Sequence, residues 1–259
     1  MAQKLTALAV GAHPDDVEFV MAGTLSLLAK AGFEPHILTV ANGSGGTARH
    51  SREEIIRIRC KEAQRAAQVI GAKYHPGLVD DLMVYYEDKL VRKATAVVRE
   101  VAPTIVLLPS LADYMEDHMI TARVIVTACF IRGIKNYPSI PRRKQTTQDV
   151  YLYHAQPLMN RDGMRNLVKP SLFVDVGSEI KTKEEMLRRH ASQKEWLDVS
   201  QGQDSYLATM RNMCSEIAKL SGRKSLKFAE GFRQHSHVAY SLRDKDMLRE
   251  VLGAKVMKR

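Results

Sequence analysis

Apolar residues fall into two rhythms along the first half of the chain. Leu5 to Ala12 is a nearly unbroken apolar run, the pattern of a buried strand, and Val17 to Ala31 has helical spacing closed by Gly32. A second strand covers Pro35 to Val40 and runs into Ala41 to Thr47, a glycine-rich stretch read as a flexible loop. Ser51 opens a long helix, with Glu54 in capping-box position and apolar residues at Ile55, Ile58, Ala63, Ala66, Ala67 and Ile70 before Gly71. A short strand near Tyr74 to Leu78 leads to Asp80-Asp81, and Asp88 to Val101 is helical. Thr104 to Pro109 is again a continuous apolar run, followed by Ser110 to His118 and an apolar helix to about Ile134.

Strand and helix therefore alternate, the pattern of right-handed crossovers over a parallel sheet. The predicted fold is α/β: a Rossmann-like, three-layer α/β/α arrangement with a mostly parallel central sheet. Residues 135 to 148 read as an exposed loop. Beyond it Asp149 to His154 and Ser171 to Val176 are predicted strands, Lys181 to Ser192 and Ser205 to Leu220 helices, and Phe228 to Tyr240 a closing extended segment. With no repeat or linker in view, residues 1–259 are expected to form a single domain, a βα-repeat half (1–134) followed by a C-terminal half (149–259).

Composition narrows the function classes. At 259 residues and 45% hydrophobic, the chain can bury a core without staples. Cys60, Cys129 and Cys214 are widely spaced and form no C-x-x-C pair, which points to a reducing compartment. No signal-peptide pattern or membrane-spanning run is present, so the expectation is a cytoplasmic protein. The net charge of +10 owes much to Arg223–Lys227 and to Lys255, Lys258 and Arg259. Without aromatic interleaving or zinc-finger spacing this reads as a solvated basic face, and no nucleic-acid partner is expected. The glycine-rich loop lacks the Gly-Lys-Ser/Thr ending of a P-loop, and Gly-x-Gly-x-x-Gly is missing after the first strand. The 12 methionines are spread out and read as core filling.

The chemistry concentrates where the first strand ends. His13, Asp15, Asp16 and Glu18 place one imidazole and three carboxylates at a strand-to-helix junction, an expensive grouping beside a core unless a cation neutralises it. His118 follows a different strand. Parallel strands put their carboxyl ends on one sheet edge, so His13, Asp15, Asp16 and His118 can converge across about a hundred residues. Two imidazoles and one carboxylate make a catalytic zinc set, and a further, non-ligating carboxylate can take a proton from water. Histidine and carboxylate ligands also accept Fe2+ or another divalent ion. Taken alone, His118 would read as a helix cap or a core residue.

The chain resembles the LmbE/PIG-L N-acetylglucosamine deacetylases over most of its length. Ala12-His13-Pro14-Asp15-Asp16-Val17-Glu18 matches that family's Ala-His-Pro-Asp-Asp-x-Glu signature. Arg59 and Glu62, then Asp175, Lys183, His190, Ser192 and Gln193, then Ala229 to Phe232, are similar to its later blocks. The resemblance implies an LmbE-like fold, zinc held by His13, Asp16 and His118, and Asp15 as general base. It implies hydrolysis of an acetamide on an amino sugar, with a small-molecule amino-sugar conjugate as substrate. It also implies a homo-oligomer, for which the exposed 135–148 segment is the candidate contact. One departure stands out. Where the family has His-Pro-Asp-His, this chain has Met115-Glu116-Asp117-His118, and Met115 cannot donate a hydrogen bond to a developing alkoxide.

His235 and His237 alternate along an extended segment; they either reach back as catalytic groups or face solvent. Arg59, Asp113 and Tyr114 are the expected substrate-binding residues, though Arg59 can equally pair with Glu62 on its own helix. His190 reads as a structural hydrogen-bonder. Two alternatives share this fold: a non-catalytic metal- and sugar-binding protein, and a deacylase of a non-sugar amide.

Overall fold

The computed structural model describes residues 5–193 and 206–258. Its centre is one eight-stranded sheet. Five strands are parallel: β1 (Thr6–Gly11), β2 (Glu34–Thr39), β3 (Lys73–His75), β4 (Ile105–Leu108) and β5 (Tyr151–Ala155), in the spatial order β3-β2-β1-β4-β5. Three short strands complete the sheet: β6 (Leu172–Asp175), β7 (Ala229–Gln234) and β8 (Val256–Lys258). β7 runs antiparallel between β5 and β6, and β8 closes the edge antiparallel to β6.

Alternate residues of each central strand feed two separate cores. Along β1, Ala7 and Ala9 pack with Ile37, Ile105 and Leu107 on one face, under α2 (Ala22–Lys30) and α3 (Arg52–Gln68). Leu8 and Val10 pack with Leu38, Val106 and Leu108 on the other, under α4 (Asp88–Val101) and α5 (Glu116–Ile131). Burial on both faces is what the continuous apolar runs require, and each fully buried leucine contributes about 1.5–3 kcal/mol. The capping box at Ser51 and Glu54 forms as predicted, and α4 has the predicted bounds.

The structure corrects the sequence reading in several places. The predicted helix over 17–31 is two helices, α1 (Asp16–Val20) and α2, broken at Met21 with φ −147°. The break frees backbone N–H groups that an unbroken helix would use internally. Gly23 and Thr24 donate theirs to the Glu230 carboxylate at 2.9 and 2.7 Å, and the Thr24 hydroxyl adds a third bond at 2.6 Å. Lys183, from α6 (Ile180–Arg188), pairs with the same carboxylate and donates to Phe19 O at 3.1 Å. Lys183 and Glu230 are both buried, so the pair ties α1, α2, α6 and β7 into one knot.

The glycine-rich loop is pinned rather than free. Asp81 accepts from Gly43 N–H at 2.6 Å and Gly45 N–H at 2.9 Å. A helix over 205–220 is present as α7 (Tyr206–Leu220), with Ser205 outside the described residues. The six-residue α8 (Met247–Leu252) and three-residue β8 were not predicted, being too short for periodicity to show.

Cutting one partner of the buried pair should be costly. Glu230→Ala leaves the Lys183 ammonium enclosed and the first turn of α2 uncapped, so a loss of about 3–5 kcal/mol of unfolding free energy is expected in urea titrations. A loss below about 1 kcal/mol would show that the knot contributes little.

Candidate metal centre

The site lies at the carboxyl edge of the parallel strands, between β1 and β4, where the strand order switches direction. β1 ends at Gly11, and the chain turns at once into α1. A Cβ on Gly11 would sit 2.9 Å from Asp16 Cβ, so the turn is too tight for a side chain there. Asp15, the N-cap of α1, has φ 114°, a left-handed conformation that costs a non-glycine residue about 1–3 kcal/mol. Asp16 accepts the His13 backbone N–H at 2.8 Å, which fixes the turn from inside. On the neighbouring strand, α5 starts at Glu116 and carries Asp117 and His118 in its first turn.

His13, Asp16 and His118 converge, each offering one ligand atom within 4.8 Å of the others. Asp16 Oδ2 stands 3.5 Å from His118 Nε2 and 3.8 Å from His13 Nδ1. Tetrahedral ligation at about 2 Å implies an edge of about 3.3 Å between donors, and the two Asp16 distances come within about 0.5 Å of that, so the set can draw in around one divalent ion. The outer ring nitrogens support the same reading. His13 Nε2 lies 3.0 Å from Asp117 Oδ2, and His118 Nδ1 lies 3.0 Å from Asp113 Oδ1. A carboxylate behind each imidazole fixes its orientation and raises its basicity, as ligating histidines require. Burial works to lower the His118 pKa, but the Asp16 and Asp113 carboxylates outweigh it and lift it to about 9. Such a field favours positive charge at this spot, whether a proton or a cation supplies it.

Asp15 lies beside this set without belonging to it. The buried Tyr206 hydroxyl, from α7, donates to its Oδ2 at 2.5 Å, and Arg59 Nη2 stands 3.5 Å from its Oδ1. Burial pushes the Asp15 pKa up, against the opposing pull of Arg59. Arg59 also donates to Pro14 O. A Cβ on Gly46 would meet Arg59 Nη1 at 2.8 Å, so the loop passes close over the guanidinium only because that residue is glycine. Glu62 does not pair with Arg59; it accepts from Ser192 N–H at 3.0 Å and the Ser192 hydroxyl at 2.6 Å. A cavity of about 400 Å³ opens over His13, Asp15, Asp16 and His118, bordered by Arg59 and Tyr114.

Three expected site residues lie elsewhere. Asp113, expected to touch substrate, holds His118 Nδ1 instead. His235 and His237, expected as catalytic groups, do not border the cavity. The reason is strand direction: Phe232 pairs with Ala155 and Gln234 with Tyr153, so the chain leaves β7 toward the amino edge of the parallel strands. His235 stops beside the middle of β5, its N–H on Leu152 O and its Nδ1 3.0 Å from His154 Nε2, and His237 Nδ1 lies 3.6 Å from Asp244. His190 is buried, with its Nε2 3.3 Å from Glu18 Oε1. Tyr206 and Asp117 were missed. Asp117 sat within the matched stretch and could have been read as the support for an imidazole, whereas nothing in the spacing marks Tyr206.

The family profile described as "PIG-L: GlcNAc-PI de-N-acetylase" matches residues 8–129, the segment holding both imidazoles. A diacetylchitobiose deacetylase of Thermococcus kodakarensis is 27% identical over 232 residues, covering 87% of this chain and 81% of the relative. Several solved structures share the fold, two of them with TM-scores above 0.7. The 4-carboxy-2-hydroxymuconate hydratase GalB of Pseudomonas putida KT2440 has a TM-score of 0.74 at 21% identity, covering 90% of this chain and 96% of its own. An N,N'-diacetylchitobiose deacetylase from Pyrococcus horikoshii has a TM-score of 0.72 at 22% identity, covering 94% and 88%.

Asp117→Asn should weaken metal binding about 10–100-fold in competition with a chromogenic chelator, because the amide is a poorer acceptor for the His13 ring. An unchanged affinity would show that His13 needs no such support.

Proposed function

The chain belongs to the PIG-L/LmbE family, and from that premise we propose that it is a zinc-dependent deacylase that removes an acetyl group from the amide nitrogen of an amino sugar or its conjugate. The observation that carries this reading is Asp15: a buried carboxylate beside the His13, Asp16 and His118 set, bordering the cavity yet outside the ligand group. A divalent cation held by those three residues would acidify water and draw charge from an acyl oxygen.

The chain's own groups supply the rest. Asp15 takes the proton as water attacks the amide carbon, then returns it to the nitrogen as the C–N bond breaks. The products are acetate and the free amine, so no further reactant is required. Tyr206 and Arg59 hold the Asp15 carboxylate in place during both transfers. Met115 borders the cavity but donates nothing, so direct help at the acyl oxygen falls to a hydroxyl, and Tyr114 stands beside His118 with ring centres 5.6 Å apart.

A second reading is addition of water to an unsaturated carboxylic acid. The fold shared with the hydratase brings it to mind, and Met115 favours it, since the donor that amide hydrolysis uses is missing. The cavity wall argues against it. Among the described lining residues Arg59 is the only lysine or arginine, it stands against Asp15, and Asp16 and Asp81 line the same cavity. A divalent ion and Arg59 together only match the charge of those three carboxylates, so no surplus cation is left for a substrate with two or three carboxylates of its own.

The two readings separate in one assay. Acetate release from N-acetylglucosamine conjugates, with no hydration of unsaturated dicarboxylates, is the expected result. Asp15→Asn should cut kcat about 10²–10⁴-fold with zinc retained. Full rate in that variant would remove Asp15 from the mechanism, and hydration without acetate release would replace the deacylase reading.

A further inference from the structure

The cavity has a polar floor and an apolar rim. Leu82, Tyr114 and Met159 all border it and remain 66%, 55% and 53% exposed. Apolar side chains gathered around a polar site mark the place where something covers them. Two of the three are held in conformations that such residues rarely adopt, with φ 62° at Leu82 and 57° at Met159. Each strained position is anchored from below. Leu82 N–H donates at 2.8 Å to Asp117 Oδ2, the oxygen that also faces His13. Met159 precedes the buried Asn160, whose amide donates to Met213 O at 3.2 Å and Glu216 at 2.9 Å. Strain that the surroundings hold in place beside a site points to a role for the side chains it presents. Met115 continues the same surface with its thioether.

On the reading that this centre hydrolyses an amide, we propose that the substrate carries an apolar group, an alkyl or aryl aglycone next to the acetamide-bearing ring, which seats on Leu82, Tyr114 and Met159. The volume fits: about 400 Å³ is room for a ligand larger than one monosaccharide. The rim's chemistry selects the remainder. Leu82 and Met159 offer a second sugar ring no hydrogen bond, and none of the three rim residues is charged at neutral pH, so a polar extension lying over Leu82 and Met159 would lose its water and gain no partner from them. A hydrocarbon extension gains on both counts.

The test is calorimetric titration of the zinc-loaded protein with methyl and hexyl N-acetylglucosaminides and with N,N'-diacetylchitobiose, following acetate in the same samples. The hexyl glycoside should bind about tenfold more tightly than the methyl one. Leu82→Asn with Met159→Asn keeps residues at ease in left-handed backbone, and should erase that difference while leaving methyl-glycoside affinity unchanged. Equal affinity for the two glycosides, a hexyl advantage that survives in the variant, tighter binding of the disaccharide, or no binding of any glycoside would each overturn the proposal. Turnover without a hexyl advantage discards the apolar rim and keeps the deacylase. A hexyl advantage without turnover keeps the rim and discards the deacylase.

Discussion

The arrangement rests on one electrostatic constraint: carboxylates crowded at the edge of a buried sheet must each be compensated. Asp15, Asp16, Glu18, Asp113 and Asp117 lie at the ends of two neighbouring strands, and all but Asp16 are buried. Each of the four buried ones has an identifiable counterpart. Asp15 has Tyr206 and Arg59, Glu18 has His190, Asp113 has His118, and Asp117 has His13 and the Leu82 amide. Asp16 faces both imidazoles at distances too long for hydrogen bonds. A divalent cation closes that account, and the two outer carboxylates are placed to steady the rings that would hold it.

Several features of the fold follow from this. The turn after β1 must be tight and left-handed so that both aspartates face the edge. The helix after it stops at Met21, and its successor starts on the Glu230 carboxylate, itself balanced by Lys183. The positively charged end of α2 therefore rests on a buried anion that has its own ammonium. What resembles a set of separate sequence blocks is largely one supporting framework beneath the candidate metal-binding residues His13, Asp16 and His118.

The parallel half of the fold and the ligand set were legible in the sequence because both are local signals joined by a simple rule. Continuous apolar runs mark doubly covered strands, and parallel strands bring their carboxyl ends together. The rest depended on direction and on long-range partners. His235 and His237 alternate attractively on paper, but β7 runs antiparallel and leads the chain away from the cavity, leaving His235 on His154 and His237 beside Asp244. The helix break at Met21 is set by Glu230, 209 positions later, since helical spacing alone reads straight through it. Tyr206 reaches Asp15 from a helix that carries no motif. Asp113 looked like a substrate contact because an exposed-looking carboxylate after a strand gives no hint that an imidazole has claimed it.

Everything at this edge turns on whether His13, Asp16 and His118 hold one divalent ion. The direct measurement is metal content after dialysis, with X-ray absorption at the zinc edge to identify the ligands. About one zinc per chain is expected, with two imidazole nitrogens and oxygen in the coordination sphere, and loss of the metal in His118→Ala. A protein that takes up no divalent metal when it is added back, or that keeps its metal in His118→Ala, would contradict it.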